Sequence, residues 1–339
     1  MKTRIHDVAE RAGVSMKTVS RVLNREPNVS DATRDRVLEA ARALRYTPSL
    51  AARGLATSKN YLLALLYDNV SPSYVLKVQQ GATNICQESG YHLIVRPIRE
   101  SISLTREDFV VLLERLPVDG VILTSPLSDN PAMLAALNQL NIRHVTIGGA
   151  IQSASCPAIG IDNRQAAEEM TRFLIQSGHK KIGFVKGDMY HISARMRYEG
   201  YKTAMAAHNI EINPEWVVQG DYSYTSGEVA ARDIFSRSSR PTAIFASNDD
   251  MAAGVMAIAG HMGVSVPDDL SVGGFDDTAT AGLVWPRLST IRQPVREMGE
   301  KAAEFMIAPP CRENDVAAVN AQHLSYEHHL IIRESTRNI

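Results

Sequence analysis

Apolar positions in the first 45 residues recur at helical spacing in three short bursts. Ile5, Val8, Ala9 and Ala12 fall on one helical face, Val19, Val22 and Leu23 on a second, and Val37, Leu38, Ala41 and Leu44 on a third. Gly13 permits the left-handed backbone that stops the first helix, and Ser15 and Ser30 stand where the second and third need N-caps. Residues 24–29, with Pro27, read as a loop. The three predicted helices share a small core of Val and Leu. Residues 47–60 break the pattern. Pro48 interrupts them, Gly54 and Ser58 loosen them, and the helix-compatible run 50–56 is too short to be stable alone. This segment is the predicted linker between an all-α head, residues 1–46, and a body, residues 61–339.

From Tyr61 onward, short β-rich runs alternate with amphipathic stretches. The predicted strands are 62–67, 92–95, 120–124, 144–147, 181–185, 242–246 and 271–275, and the predicted helices between them are 74–89, 131–140, 164–177, 194–208, 226–235 and 251–262. Repeated β–α alternation implies parallel sheets with helices on both faces. The strands are too many for one compact sheet, and a second βα series starts near Ile159. The expectation is an α/β body of two doubly wound parallel-sheet subdomains with a cleft between them, ligands sitting at the carboxyl ends of strands.

Length and composition agree with this division: 339 residues at 45% apolar can bury two or three cores. The longest apolar runs, such as 62–67, fall well short of the roughly 20 residues of a membrane span. Residues 1–25 are charged and amphipathic without the pattern of a signal peptide, so the chain is expected in the cytosol, at the nucleoid. Cys86, Cys156 and Cys311 lie far apart, which argues against a disulfide framework or a zinc site. His323, His328 and His329 could suggest a metal, but no Cys or acidic partner is spaced for one, and they read as part of a C-terminal strand. Trp216 and Trp285 read as packing residues, and no GxxxxGK[ST] or GxSxG motif is present. No cofactor is implied. The net charge of −1 conceals an asymmetry: residues 1–60 carry 12 Lys/Arg against 6 Asp/Glu, a net +6, which leaves −7 for the rest. A basic head on an acidic body points to a polyanion bound by the head alone.

The run Asp7-Val8-Ala9-Glu10-Arg11-Ala12-Gly13-Val14-Ser15-Met16-Lys17-Thr18-Val19-Ser20-Arg21-Val22-Leu23-Asn24 identifies the polyanion. Small Ala9 lets two helices approach, Gly13 makes the turn and Val14 plugs the corner. With Val19 and Val22 inward, Met16, Lys17, Ser20 and Arg21 point outward, where a Lys and an Arg near a helix N-terminus suit guanine O6 and N7 in the major groove. Ser15, Thr18, Asn24, Asn28, Ser30 and Thr33 are placed for phosphate contacts, which position without specifying.

This run, followed by Val29-Ser30, Thr33, Arg34, Val37, Tyr46, Pro48, Ala52 and Leu55, resembles the helix-turn-helix head of the lactose-repressor/galactose-repressor family. The resemblance continues through Asp162-Asn163, Gly178-His179, Ser193–Arg197, Asn248–Ala252, Val266-Pro267, Gly274–Asp277 and Leu288–Ile291, and so covers essentially the whole chain. It implies a periplasmic-binding-protein-like body whose subdomains are joined by three crossings, near Ile159, near Ser289 and shortly before the last strand. The first subdomain would then be 61–158 plus about 291–321, and the second 159–290 plus about 322–339. It also implies a dimer or tetramer on a near-palindromic DNA operator, with no membrane involved. The linker would act as a hinge helix in the minor groove, with Ala52 beside Leu55, the leucine that wedges between base pairs; a linker leucine packed on the body is the plainer alternative.

By the same resemblance, Arg197 and Asp276 bind a small-molecule effector through charge-assisted hydrogen bonds, Asn248 donates or accepts to it, and Tyr222 stacks on it, with Tyr74 and Ser193 as further candidates. The expected effector is a sugar that relieves repression of carbohydrate-utilisation genes by changing the angle between subdomains. One departure stands out. Some sugar-binding members carry an aspartate after the strand at 144–147, where this chain has Gly148-Gly149; that removes a hydroxyl acceptor and opens space for a larger effector such as a disaccharide. A purine or nucleoside, or a protein corepressor, is the alternative. Two rivals have other functions: a glycoside-processing enzyme using Asp249-Asp250 and Asp276-Asp277 as its carboxylates, and a transport binding protein. The DNA-reading head argues against both.

Overall fold

The computed structural model describes residues 3–23, 27–46, 59–68, 71–149, 156–309 and 323–339. Asn24, Ala52, Leu55, Cys311 and most of the expected linker lie outside the described residues. The chain divides into two compact units, Met1–Tyr61 and Leu62–Ile339.

The first unit holds helices α1 (Ile5–Ala12), α2 (Met16–Leu23) and α3 (Asp31–Ala43). Gly13 ends α1 at φ 63°, and the Gly13 and Val14 amides close the turn on Glu10 and Ala9 carbonyls. Val8, Ala9, Ala12, Val19, Val22, Val37, Ala40 and Ala41 form its buried core, with Ile5, Leu23, Leu38 and Leu44 packed at the edge.

The second unit contains two six-stranded sheets. The first runs in the order β11 (His323–Tyr326), β5 (Ala158–Ile161), β4 (His144–Ile147), β3 (Gly120–Thr124), β1 (Leu62–Tyr67), β2 (His92–Pro97), with every pair parallel. The second runs β12 (His329–Ile331), β10 (Ser289–Arg292), β9 (Ser271–Asp276), β8 (Ala243–Ala246), β6 (Ile182–Lys186), β7 (Val217–Gln219). It is parallel except for β12, which pairs antiparallel with β10. The chain leaves the second sheet through β10 and re-enters it through β12, so those two strands must run in opposite directions.

Covering helices are α4 (Pro72–Glu88), α5 (Arg106–Glu114), α6 (Pro131–Gln139), α7 (Asn163–Gln176), α8 (Ile192–Ala207), α9 (Tyr224–Phe235), α10 (Asp249–His261), α11 (Ala279–Leu283) and α12 (Val295–Ile307). Successive strand residues alternate between faces, and both faces are dry. In the second sheet Val185, Ile244 and Val272 join one core and Phe184, Phe245 and Phe275 the other.

Two expected boundaries move. The first crossing comes at Asp162 rather than at 159, because β5 pairs with β4 and β11 inside the first sheet. The segment after 322 begins in the first subdomain for the same reason, since β11 adds beside β5 and only β12 enters the second. The second crossing follows Arg292, and α12 then packs on α4 and on β3–β5 of the first subdomain.

The α4–α12 contact is backbone on backbone. A Cβ on Gly81 would collide with the Arg296 carbonyl and lie 2.8 Å from the Glu300 amide, and one on Gly299 would collide with the Val78 carbonyl. Gly81→Ala is therefore expected to destabilise the body by about 2–3 kcal/mol, as overpacking against atoms that cannot rotate away, and a denaturant melt compared with the parent checks this.

Candidate functional site

Two places collect the chemistry. The first is the outer face of α2. The Thr18 amide donates to Ser15 Oγ at 3.2 Å, so Ser15 caps α2, and the Ser15 and Thr18 hydroxyls lie 3.0 Å apart. Val19 and Val22 are buried, whereas Met16, Lys17 and Arg21 are exposed and Ser20 is partly so. At α3, Ser30 sits at the N-cap, but its hydroxyl donates to Thr33 Oγ1 at 2.9 Å and does not accept an amide; the helix starts on the Ser30 carbonyl instead. Asn28 is exposed with φ 72°, a left-handed conformation that asparagine tolerates well.

The second is a cavity of about 430 Å³, including its open mouth, between the two sheets. Tyr74, Ser193, Arg197, Tyr222, Asn248 and Asp276 all line it, so the structure brings all six effector candidates together. Gly148, Ser71, Ser125, Asn163, His191 and Gln293 complete the wall, and the last five were not effector candidates from sequence. Asn163 and Gln293 follow directly from the geometry of the charged pair. Arg197 Nε donates to Asn163 Oδ1 at 2.9 Å, and Gln293 Nε2 donates to Asp276 Oδ1 at 2.5 Å.

Arg197 is 5% exposed. Its Nη1 donates to the Ser247 carbonyl at 2.5 Å and lies 3.6 Å from Asp276 Oδ1, while its guanidinium stacks 3.6 Å from the Phe275 ring centre. Strand β9 ends at Asp276, whose φ of 108° is followed by 47° at Asp277. Two consecutive left-handed non-glycine residues are strained, and two clamps hold them. Buried Asp249 accepts from the Thr278 amide at 2.6 Å and from the Thr278 and Thr290 hydroxyls at 3.0 and 2.6 Å. Arg292 and Arg333 donate to the Asp277 carboxylate at 2.7 and 2.6 Å. Burial works to raise the Asp277 carboxyl, but these two arginines outweigh it and hold it below the usual range. Asp276 lacks that excess of cations. Burial raises it, Arg197 and Gln293 only partly offset the rise, and it reaches about 6.

Asn248 is largely engaged in the fold. Its Oδ1 accepts the Met251 amide at 2.9 Å as the N-cap of α10, and its Nδ2 donates to the Tyr222 carbonyl at 2.8 Å. Tyr222, at φ 74°, packs edge-on to His191 with ring centres 5.1 Å apart. Its buried hydroxyl has no hydrogen-bond partner, although Arg197 and the nearby Ser193 hydroxyl partly offset the rise that burial imposes on it. Burial drops the His191 imidazole to about 4, so it is neutral at ordinary pH. Two hydrogen bonds span the cleft: Ser71 Oγ to Asp250 Oδ2 at 2.9 Å and Lys77 Nζ to the Asp277 carbonyl at 2.6 Å. His328 Nε2 meets Glu169 Oε2 at 2.9 Å, and no group of three His, Cys, Asp or Glu that could hold a metal occurs among the described residues. No helix among them is long and apolar enough to cross a membrane.

Both units of the chain match known families. Residues 4–49 match the model of bacterial regulatory proteins of the lacI family, and residues 171–336 match that of a periplasmic binding protein-like domain. The HTH-type transcriptional repressor PurR of Serratia proteamaculans (strain 568) is 35% identical over 307 residues, 89% of each chain. Among solved structures, the lac repressor dimer bound to operator and the anti-inducer ONPF superposes with a TM-score of 0.81 at 26% identity, over 99% of this chain and 100% of that one. A transcriptional regulator CelR–cellobiose complex gives a TM-score of 0.71 at 27% identity, over 98% and 100%. The chain belongs to the lacI family of bacterial regulatory proteins and is a DNA-binding transcription regulator under the control of a small-molecule effector.

Proposed function

We propose that this chain acts in the cytoplasm as a homodimeric repressor of carbohydrate-utilisation genes, and that a sugar in the cleft releases it from a near-palindromic operator. The buried Arg197–Asp276 pair in a polar-walled cavity carries the reading. An arginine fork donates and a carboxylate accepts, which suits vicinal hydroxyls, and Tyr222 adds an apolar ring with a polar tip. CelR, in complex with cellobiose, supports a sugar; PurR keeps a purine as the second reading. In the head, Met16, Lys17, Ser20 and Arg21 read base edges, and Ser15, Thr18, Asn28, Ser30 and Thr33 hold phosphates. Asn24, Ala52 and Leu55 join the operator contacts by their place in the sequence. The chain works by binding rather than by catalysis: of the four carboxylates Asp249, Asp250, Asp276 and Asp277, only Asp276 lines the cavity, whereas glycoside hydrolysis needs two facing the substrate.

A ligand shifts operator affinity by its differential affinity for two states of the body. The bonds Ser71–Asp250 and Lys77–Asp277 belong to one of them, since they exist only while the subdomains approach. Titrating operator DNA with and without sugars and with hypoxanthine tests the proposal. Release by a sugar alone supports it, and a response to hypoxanthine alone overturns the carbohydrate reading. Effector affinity is expected to be flat above pH 7 and to fall several-fold as pH drops through about 6, because the ionised Asp276 carboxylate is the stronger hydroxyl acceptor and protonation turns one of its oxygens into a donor. Calorimetric titrations at pH 7.5 and 5.2 check the sign: weaker binding at the lower pH is the expected result.

A further inference from the structure

Beside the effector cavity lies a second, more open pocket of about 740 Å³ including its mouth. Ile102, Leu104, Pro126, Asp129 and Pro131 of the first subdomain line it, and Tyr190 of the second closes it. The two cavities adjoin. Tyr190 lines the outer one and its chain neighbour His191 the inner; Ser125 lines the inner one and donates to Asp129 Oδ2 at 3.1 Å in the outer. Tyr190 is 64% exposed, yet its loop is pinned, with its amide donating to Asp188 Oδ1 at 2.9 Å and Arg195 Nη1 donating to the Met189 carbonyl at 3.1 Å. A large aromatic side chain on a pinned loop, open to solvent and lining the same pocket as apolar Ile102 and Leu104, is a platform for one flat apolar face.

The glycine pair after β4 completes the arrangement. A Cβ on Gly149 would meet Asp129 Oδ1 at 2.8 Å and Ser128 Oγ at 2.9 Å. The missing side chain at Gly149 is what lets the Asp129 carboxylate lie over the end of the strand, so the acceptor absent from position 149 is supplied from the segment after β3. A carboxylate accepts up to about four hydrogen bonds, and Asp129 Oδ2 takes Ser125 at 3.1 Å and Ser128 at 3.5 Å.

Resting on the carbohydrate reading of the inner cavity, we infer that the outer pocket is a second sugar subsite, with Tyr190 as its stacking platform and Asp129 as its hydroxyl acceptor, and that the effector is a disaccharide or longer. A pyranose has the matching shape, an apolar C–H face and a rim of hydroxyls. One ring meets Arg197 and Asp276, and the next lies between Tyr190 and Ile102.

Calorimetry on the full chain with glucose, galactose, cellobiose, maltose, lactose and melibiose tests this. At least one disaccharide should bind about tenfold or more tighter than its constituent monosaccharide, from burying a second ring on an aromatic. Tyr190→Ala should remove that gain and leave monosaccharide affinity within about twofold, the residue being too exposed for its loss to unfold the chain. Asp129→Asn should reduce the gain. The inference is overturned if no disaccharide exceeds its monosaccharide, or if the gain survives in Tyr190→Ala. The underlying carbohydrate reading fails separately, if no sugar binds at all or if sugar binding is unchanged in Arg197→Lys.

Discussion

Replacing Arg197 by alanine leaves operator binding intact and removes the effector response. Arg197 is buried, and its fork is directed by Asn163, Ser247 and Asp276. These contacts aim the remaining N–H groups into the cavity it lines. Each charge-assisted hydrogen bond contributes about 1.5–3 kcal/mol, so losing two of them lowers effector affinity by about a hundredfold or more. The head is a separate unit with its own core, so its hold on DNA is unaffected. Truncation also leaves Asp276 buried without its counter-charge, which destabilises the second subdomain by about 3–5 kcal/mol. Arg197→Lys separates the two effects. It keeps the charge and most of the stability but not the fork, and its effector affinity is expected to fall nearly as far as that of the alanine variant. Operator titrations with and without effector, run beside thermal melts of both variants, check this; a lysine variant with parental effector affinity contradicts the assignment.

Arg21→Ala is expected to lose base discrimination, by about 1–3 kcal/mol at one position of each half-site, while retaining most non-specific affinity. Arg21 lies in the last turn of α2, exposed, one residue before buried Val22, and alanine is at least as good a helix former, so the head stays folded. Thr33→Ala provides the contrast. A phosphate contact has no base preference, so its loss weakens every sequence alike. Competition binding over operators changed one base pair at a time reads the difference. If Arg21→Ala ranks operator bases as the parent does, the residue is only a phosphate contact.

The head and the strands β1–β4, β6, β8 and β9 were legible in the sequence because their signals are local. Gly13, Ser15 and the Val19–Val22 pair state a turn, a cap and an inward face within one short run. The sheet to which a strand belongs is not a local property. Ala158–Ile161 is a four-residue apolar run that would serve equally in either subdomain, and only its pairing with β4 and β11 decides. Helix α12 was missed although Val295, Met298, Ala302 and Met306 follow helical spacing and are buried. In the cleft, Arg197 and Asp276 were marked by the resemblance to the lactose-repressor/galactose-repressor family, not by any local pattern. Asn163 and Gln293 are neutral amides far apart in sequence, and they become site residues only once the fold sets them against that pair. Asp129 was invisible for a related reason. The sequence recorded a carboxylate absent after β4, and the fold brings one there from another loop.

On the proposed function, this chain reads a specific DNA sequence and loosens its hold when the cleft is filled. The most direct test mixes the purified full chain with sheared DNA of its own organism, recovers and sequences the bound fragments, and repeats the recovery with sugars present. The account predicts a short near-palindrome upstream of a few carbohydrate-utilisation genes, depleted when the effector sugar is added. Recovery without sequence preference, unchanged by any added metabolite, would contradict it.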